Sequence, residues 1–108
     1  MGSMIFLGLL LLALILAPTP SPAQNLDPLT RSKIDRELAA ATGVGSLLHV
    51  ANKYAVAGYV QEAKAVVDRA ALKAHSAMEW QAVAGAYQRL GYKESAEMAK
   101  KKAREASK

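Results

Sequence analysis

From Asp27 onward the apolar positions of this chain recur at three- and four-residue steps, the spacing of one helix face, and polar residues fill the intervals. Leu29, Ile34, Leu38 and Ala41 make the first stripe, with Arg31, Lys33, Asp35, Arg36 and Glu37 opposite. Asp27-Pro28 offers a capping carboxylate followed by a proline at the first helical position, and Thr42-Gly43-Val44-Gly45 should end that helix. A second helix is expected from Ser46, with Leu47, Val50, Ala51 and Tyr54 inward and Gly58-Tyr59 at its turn. Val60, Ala63, Val67 and Ala70 form a third stripe. Ser76 and Glu79 have capping-box spacing, so a fourth helix should open near residue 77, with Trp80, Val83, Ala84 and Tyr87 inward and a turn at Leu90-Gly91-Tyr92. The last helix, Lys93 to about Ser107, has small inward residues: Ala96, Ala99, Ala103 and Ala106, with Met98 beside them. No strand pattern occurs, and the fold class is all-α.

Two of these hairpins are copies. Val50, Ala51, Tyr54, Gly58, Tyr59, Ala63 and Ala70 recur 33 positions later as Val83, Ala84, Tyr87, Gly91, Tyr92, Ala96 and Ala103. Alanine is too common here to prove repetition, so the Tyr and the Gly-Tyr pair carry the signal. A period of this length denotes stacked antiparallel helical hairpins, a short α-solenoid. The organisation is then a segment 1–23, a leading helix within 24–43, one hairpin over 44–76 and a second over 77–108. The leading helix, without a counterpart in the repeat, is expected to act as a cap. Each hairpin leaves an apolar face for a neighbour, so such arrays bind other molecules on surfaces rather than in closed catalytic pockets.

Over roughly residues 44–108 these positions resemble the tetratricopeptide repeat. Its signature of a large apolar residue, a small residue, an aromatic, a turn Gly and two small residues is met by Leu47, Ala51, Tyr54, Gly58, Ala63 and Ala70, then by Trp80, Ala84, Tyr87, Gly91, Ala96 and Ala103. The period is one residue shorter than the family's usual 34, and Lys100 stands where an apolar residue is expected, as at Val67. The resemblance implies a concave face formed by the first helix of each repeat, a seat for peptides or partner proteins. On it would lie Leu48, Asn52 and Val56 from the first repeat and Met78, Gln81, Gln88 and Arg89 from the second. Asn52 matches the Asn of peptide-clamping members, but Leu48 replaces their Lys, which argues against capture of a carboxyl-terminal peptide.

Met4 to Ala17 is an almost unbroken apolar run, followed by Pro18-Thr19-Pro20-Ser21-Pro22-Ala23. That is the layout of a secretory signal peptide, with Ser21 and Ala23 preceding a cut before Gln24, although no Lys or Arg precedes the run. At a rise of about 1.5 Å per residue the run reaches about 21 Å, short of a hydrocarbon core of about 30 Å. Export to a periplasmic or extracellular space is expected, with an uncleaved amino-terminal membrane anchor as the alternative. All 14 Lys and Arg and all 9 Asp and Glu follow residue 23, giving the exported part the whole net charge of +5. There is no Cys. Stability must then come from helix packing or from a partner.

His49 and His75 are the only histidines, 26 residues apart, and neither has Cys or a carboxylate at ligand spacing, so no metal or other cofactor is expected. No nucleophile elbow, phosphate loop or dinucleotide fingerprint is present, which argues against an enzyme. Tyr59 and Tyr92 are expected to pack against the following hairpin. Lys100, Lys101, Lys102 and Arg104 form a basic end that is either a solvated face or a dock for an anionic surface. Compartment disfavours nucleic acid. The expected function is protein–protein association through the groove or the ends. One version stacks the leading helix of one copy on the Ala-rich last helix of another, which lacks the look of a polar terminal cap, giving a head-to-tail polymer or ring. The alternatives are a membrane-tethered accessory subunit of a larger envelope complex and a basic surface binder.

Overall fold

The computed structural model describes residues 28–108. Over that range the chain is five helices and no strand: α1 (Pro28–Ala40), α2 (Val44–Val56), α3 (Val60–Lys73), α4 (Ala77–Leu90) and α5 (Lys93–Ala106). The closest packing is within the hairpins α2/α3 and α4/α5, while α4 also lies against α2 and α3, and α1 against α2. The hairpins are therefore stacked in sequence order, as the period requires. Asp27, the expected cap of α1, and residues 4–23 lie outside the described residues.

The recurrent Tyr…Gly-Tyr is a turn motif written twice. After α2, the Tyr59 N–H donates to the Tyr54 carbonyl at 2.8 Å and the Gly58 N–H to the Ala55 carbonyl at 3.0 Å. After α4, Tyr92 bonds Tyr87 at 3.0 Å and Gly91 bonds Gln88 at 3.1 Å in the same pattern. Both are Schellman closures, which satisfy the last carbonyls of a helix but demand a left-handed residue. Gly58 and Gly91 supply it, with φ of 92° and 90°. Tyr54 and Tyr59 then meet edge to face with centroids 6.4 Å apart, the apolar contact that accompanies this closure.

Helix starts are equally local. The Glu79 N–H donates to Ser76 Oγ at 3.1 Å, and Glu79 Oε1 accepts from the N–H groups of His75 at 3.0 Å and Ser76 at 3.3 Å, a complete capping box. Those donors, His75 first, hold the Glu79 carboxyl below its ordinary range. At α2 the expectation of a start at Ser46 is displaced. Gly43 caps the helix, its N–H bonded to Ser46 Oγ at 3.1 Å, and the helix already runs at Val44 and Gly45. Burial of Val44 in the core outweighs the helix cost of Gly45, about 1 kcal/mol.

Leu47, Val67 and Val83 are the largest wholly enclosed side chains of the core. Ala51, Ala63, Ala84 and Ala96 are buried around them, small residues that let helix backbones approach closely. Trp80 is half-buried against this core, and Val66, absent from the expected stripes, is buried. Three expected inward residues are outside it: Leu29 is 69% exposed, Val60 41%, and Ala106 is exposed beyond the last turn that packs.

The leading helix does have a counterpart. Tyr54 donates its hydroxyl hydrogen to Asp35 on α1, and Tyr87 donates to Asp68 on α3. The Arg31 guanidinium lies over the Tyr59 ring at 4.8 Å and the Lys64 ammonium over the Tyr92 ring at 5.4 Å. Arg31, Asp35, Tyr54 and Tyr59 become Lys64, Asp68, Tyr87 and Tyr92 on adding 33 to each number. Helix α1 thus stands where the second helix of a preceding hairpin would stand, and the array contains two and a half units. The rings of Tyr59 and Tyr92 thus meet cations of the helix one unit back, Arg31 of α1 and Lys64 of α3, and both rings pack against the core.

Candidate partner-binding groove

Helices α2 and α4 are the first helices of the two hairpins, and a cleft of about 210 Å³ runs between them. Leu48, Ala51, Asn52 and Val56 line it from α2, with Ala86 and Arg89 from α4. Four of the seven residues expected in the groove are therefore together: Leu48, Asn52, Val56 and Arg89. Val56 is 81% exposed, an aliphatic side chain left in water in a cleft that Arg89 also lines.

Met78, Gln81 and Gln88 are exposed on α4 and are not among the residues that line this cleft. The period explains the last two. Gln81 and Gln88 correspond to Leu48 and Ala55, which pack against the core. They therefore lie on the end of the array, where a further hairpin would stack.

That carboxyl-terminal end is polar. On α5 only Ala96, Ala99 and Ala103 are buried, whereas Glu94, Glu97, Lys101, Arg104 and Glu105 face water. Lys101 stands at the register of Asp68, and Arg104 at that of half-buried Ala71. The outer surface of the last helix is that of a terminal cap, contrary to the expectation from its alanines. Successive helical residues point about 100° apart, so Lys100, Lys101 and Arg104 share one side of α5 while Lys102 turns away, and Lys100 Nζ is paired with Glu97 at 3.1 Å.

A second, larger cleft of about 650 Å³ opens between α1 and α2. Ile34, Val56 and Ala57 form its apolar part, and Lys33, Arg36, Glu37 and Lys53 surround them. Glu37 accepts from Lys53 Nζ at 2.6 Å across the two helices, and that bond holds its carboxyl below the usual range. Asn52 and Val56 line both clefts, which therefore lie side by side on α2. Sequence reasoning missed this site, because it begins on a helix that had been read as standing outside the repeat.

His49 and His75 are both exposed, His75 with Nδ1 3.4 Å from Glu79 Oε1. Among the described residues no three His, Asp or Glu side chains gather as a metal site, and no helix is long and apolar enough to cross a membrane. The surfaces on offer are apolar grooves with cationic edges, suited to an apolar side chain next to a carboxylate.

The described residues are thus an all-α array of stacked antiparallel hairpins, the architecture of helical repeat proteins. No protein-family model, characterised protein or solved structure matches the chain.

Proposed function

We propose that this protein is an exported, non-enzymatic repeat module of the tetratricopeptide type that mediates protein–protein association through the groove between α2 and α4. The observation that carries this reading is the pairing of Val56, 81% exposed, with Leu48 and Arg89 around one cleft. An exposed aliphatic side chain and a guanidinium lining one concave site suit a peptide that offers an apolar side chain and a carboxylate. The small residues of that repeat's signature are present and buried at Ala51, Ala63, Ala84 and Ala96, which supports the assignment to that repeat type. The polar surface of the carboxyl-terminal end favours a different protein over a second copy as the partner.

The test is photo-crosslinking in the native host, with p-benzoylphenylalanine in place of Arg89 or, as control, Lys102. Discrete protein adducts from position 89, absent from position 102 and lost on Val56→Asp, are expected. Identical adduct patterns from both positions would remove the groove from consideration.

A further inference from the structure

Applying the 33-residue shift to the α1/α2 cleft identifies what is missing from it. Thr30, Lys33, Glu37 and Lys53 correspond to Ala63, Val66, Ala70 and Ala86, which are 0%, 3%, 0% and 5% exposed. Helix α2 packs against both α3 and α4, the elements that carry those four residues. The α1/α2 cleft is the same seat one unit earlier, without a helix on it among the described residues. In sequence, the stretch in register with α2 is residues 11–23, and it contains Pro18, Pro20 and Pro22. Prolines in a helix interior each cost about 3 kcal/mol, so the sequence of this stretch is a poor helix former.

We infer that the α1/α2 seat takes an amphipathic helix of a partner protein, apolar on the side that meets Ile34, Val56 and Ala57 and carboxylate-bearing along its edges. This rests on the association reading above and adds the partner's chemistry. The charge of the seat decides it. Three cations, Lys33, Arg36 and Lys53, surround it against the one carboxylate of Glu37. Lys53 is committed to Glu37, whereas Lys33 and Arg36 are exposed and in no ion pair among the described residues. A second copy is a poor occupant: its described helices are packed in their own array, α2 has no Asp or Glu, and two chains of net charge +5 repel.

The probe is a fluorescein-labelled, hydrocarbon-stapled 13-residue peptide with Leu, Val, Ala and Tyr at the spacing of Leu47, Val50, Ala51 and Tyr54, and Glu at the flanking positions. Its twin carries Lys at those positions. Fluorescence polarisation with the full chain should give saturable binding of the Glu peptide and binding of the twin at least about tenfold weaker, and Lys33→Glu with Arg36→Glu should reverse the order. Amide NMR shifts should centre on Ile34, Val56 and Ala57. Equal binding of the two peptides, no binding, or indifference to the charge reversal would overturn the inference. So would shifts confined to Leu48, Ala86 and Arg89, although those would leave the α2/α4 groove standing, and so would a dimer in light scattering that the Glu peptide dissociates. Arg89 is left unchanged throughout, so the crosslinking result and this one fail independently.

Discussion

Tyr87 on α4 donates its hydroxyl hydrogen to Asp68 on α3, and this bond fixes the angle at which one hairpin lies on the next. Its copy one unit earlier joins Tyr54 to Asp35. Both phenols are otherwise enclosed, Tyr54 at 2% and Tyr87 at 7% exposure, so each hydroxyl needs an acceptor and the preceding unit provides it. Apolar packing alone would tolerate a helix slid by a turn. A phenol aimed at one carboxylate does not.

Replacing Tyr87 by Phe should therefore lower stability by about 1 kcal/mol, below the usual range for a bond to a charged acceptor because Asp68 is partly hydrated. For a domain of this size that corresponds to a fall of about 4–8 °C in Tm. Asp68→Ala leaves the enclosed Tyr87 hydroxyl without its acceptor and should cost more in the parent chain than in the Tyr87→Phe background, so urea melts of both single variants and the double variant form the check. Strict additivity in that cycle would mean that the two residues do not act as a pair.

The same enclosure alters alkaline behaviour. Burial, then the hydrogen bond to Asp35, pushes the Tyr54 hydroxyl from an ordinary 10.0 up to about 12, and Tyr87 is raised for the same reasons. The folded state holds this proton more tightly than the unfolded chain does. The stability contributed by Tyr54 is thus complete below pH 10 and is lost as pH rises through about 12. Tyrosinate absorbance of the parent minus that of Tyr54→Phe isolates the one group. A midpoint near 10.0 with the fold intact would contradict the buried pairing.

Much of this architecture was legible because it is written in local chemistry. Ser76 and Glu79 cap their own helix, Gly58 and Gly91 close theirs, and the Tyr…Gly-Tyr period states that the two hairpins are alike. The clasps were not legible in the same way. Arg31, Asp35, Lys64 and Asp68 occupy ordinary polar positions, and each meets a tyrosine many residues ahead on another helix. Carrying the 33-residue comparison back through α1 exposes them, with Ile34 and Val67 as the accompanying apolar match. The groove was half legible: Leu48 and Gln81 share a register, yet one has a following hairpin to pack on and the other has the end of the array. Periodicity gives a residue's direction, whereas its neighbour depends on position in the stack.

Gly91 offers a test that separates backbone strain from packing. No atom outside its immediate neighbours lies within 4 Å of where a Cβ would project, but its φ of +90° is one that other residues adopt at a cost. Gly91→Ala should destabilise by about 1–2 kcal/mol with the fold retained, and Gly91→Asn by less, since Asn tolerates the left-handed region better. Thermal melts followed by circular dichroism measure both. Equal losses for Ala and Asn would point to a steric origin that the geometry does not contain.

The charges around the amino-terminal seat should also oppose stacking of a second copy, an expectation tested by removing them. Glu37 and Lys53 stand where the interior unit has buried Ala70 and Ala86, and Lys33 stands where it has buried Val66. The ion pair they form is exposed by about two-fifths on each side, so its loss should cost less than about 1 kcal/mol. Combining Lys33→Val, Glu37→Ala and Lys53→Ala would recreate an interior seat on an uncovered end, leaving an apolar surface that only association can bury. Static light scattering should find the parent chain at constant molar mass as concentration rises, and the triple variant growing. A parent chain that already assembles would show that these charges do not prevent stacking, and that copies of the chain are themselves the partner.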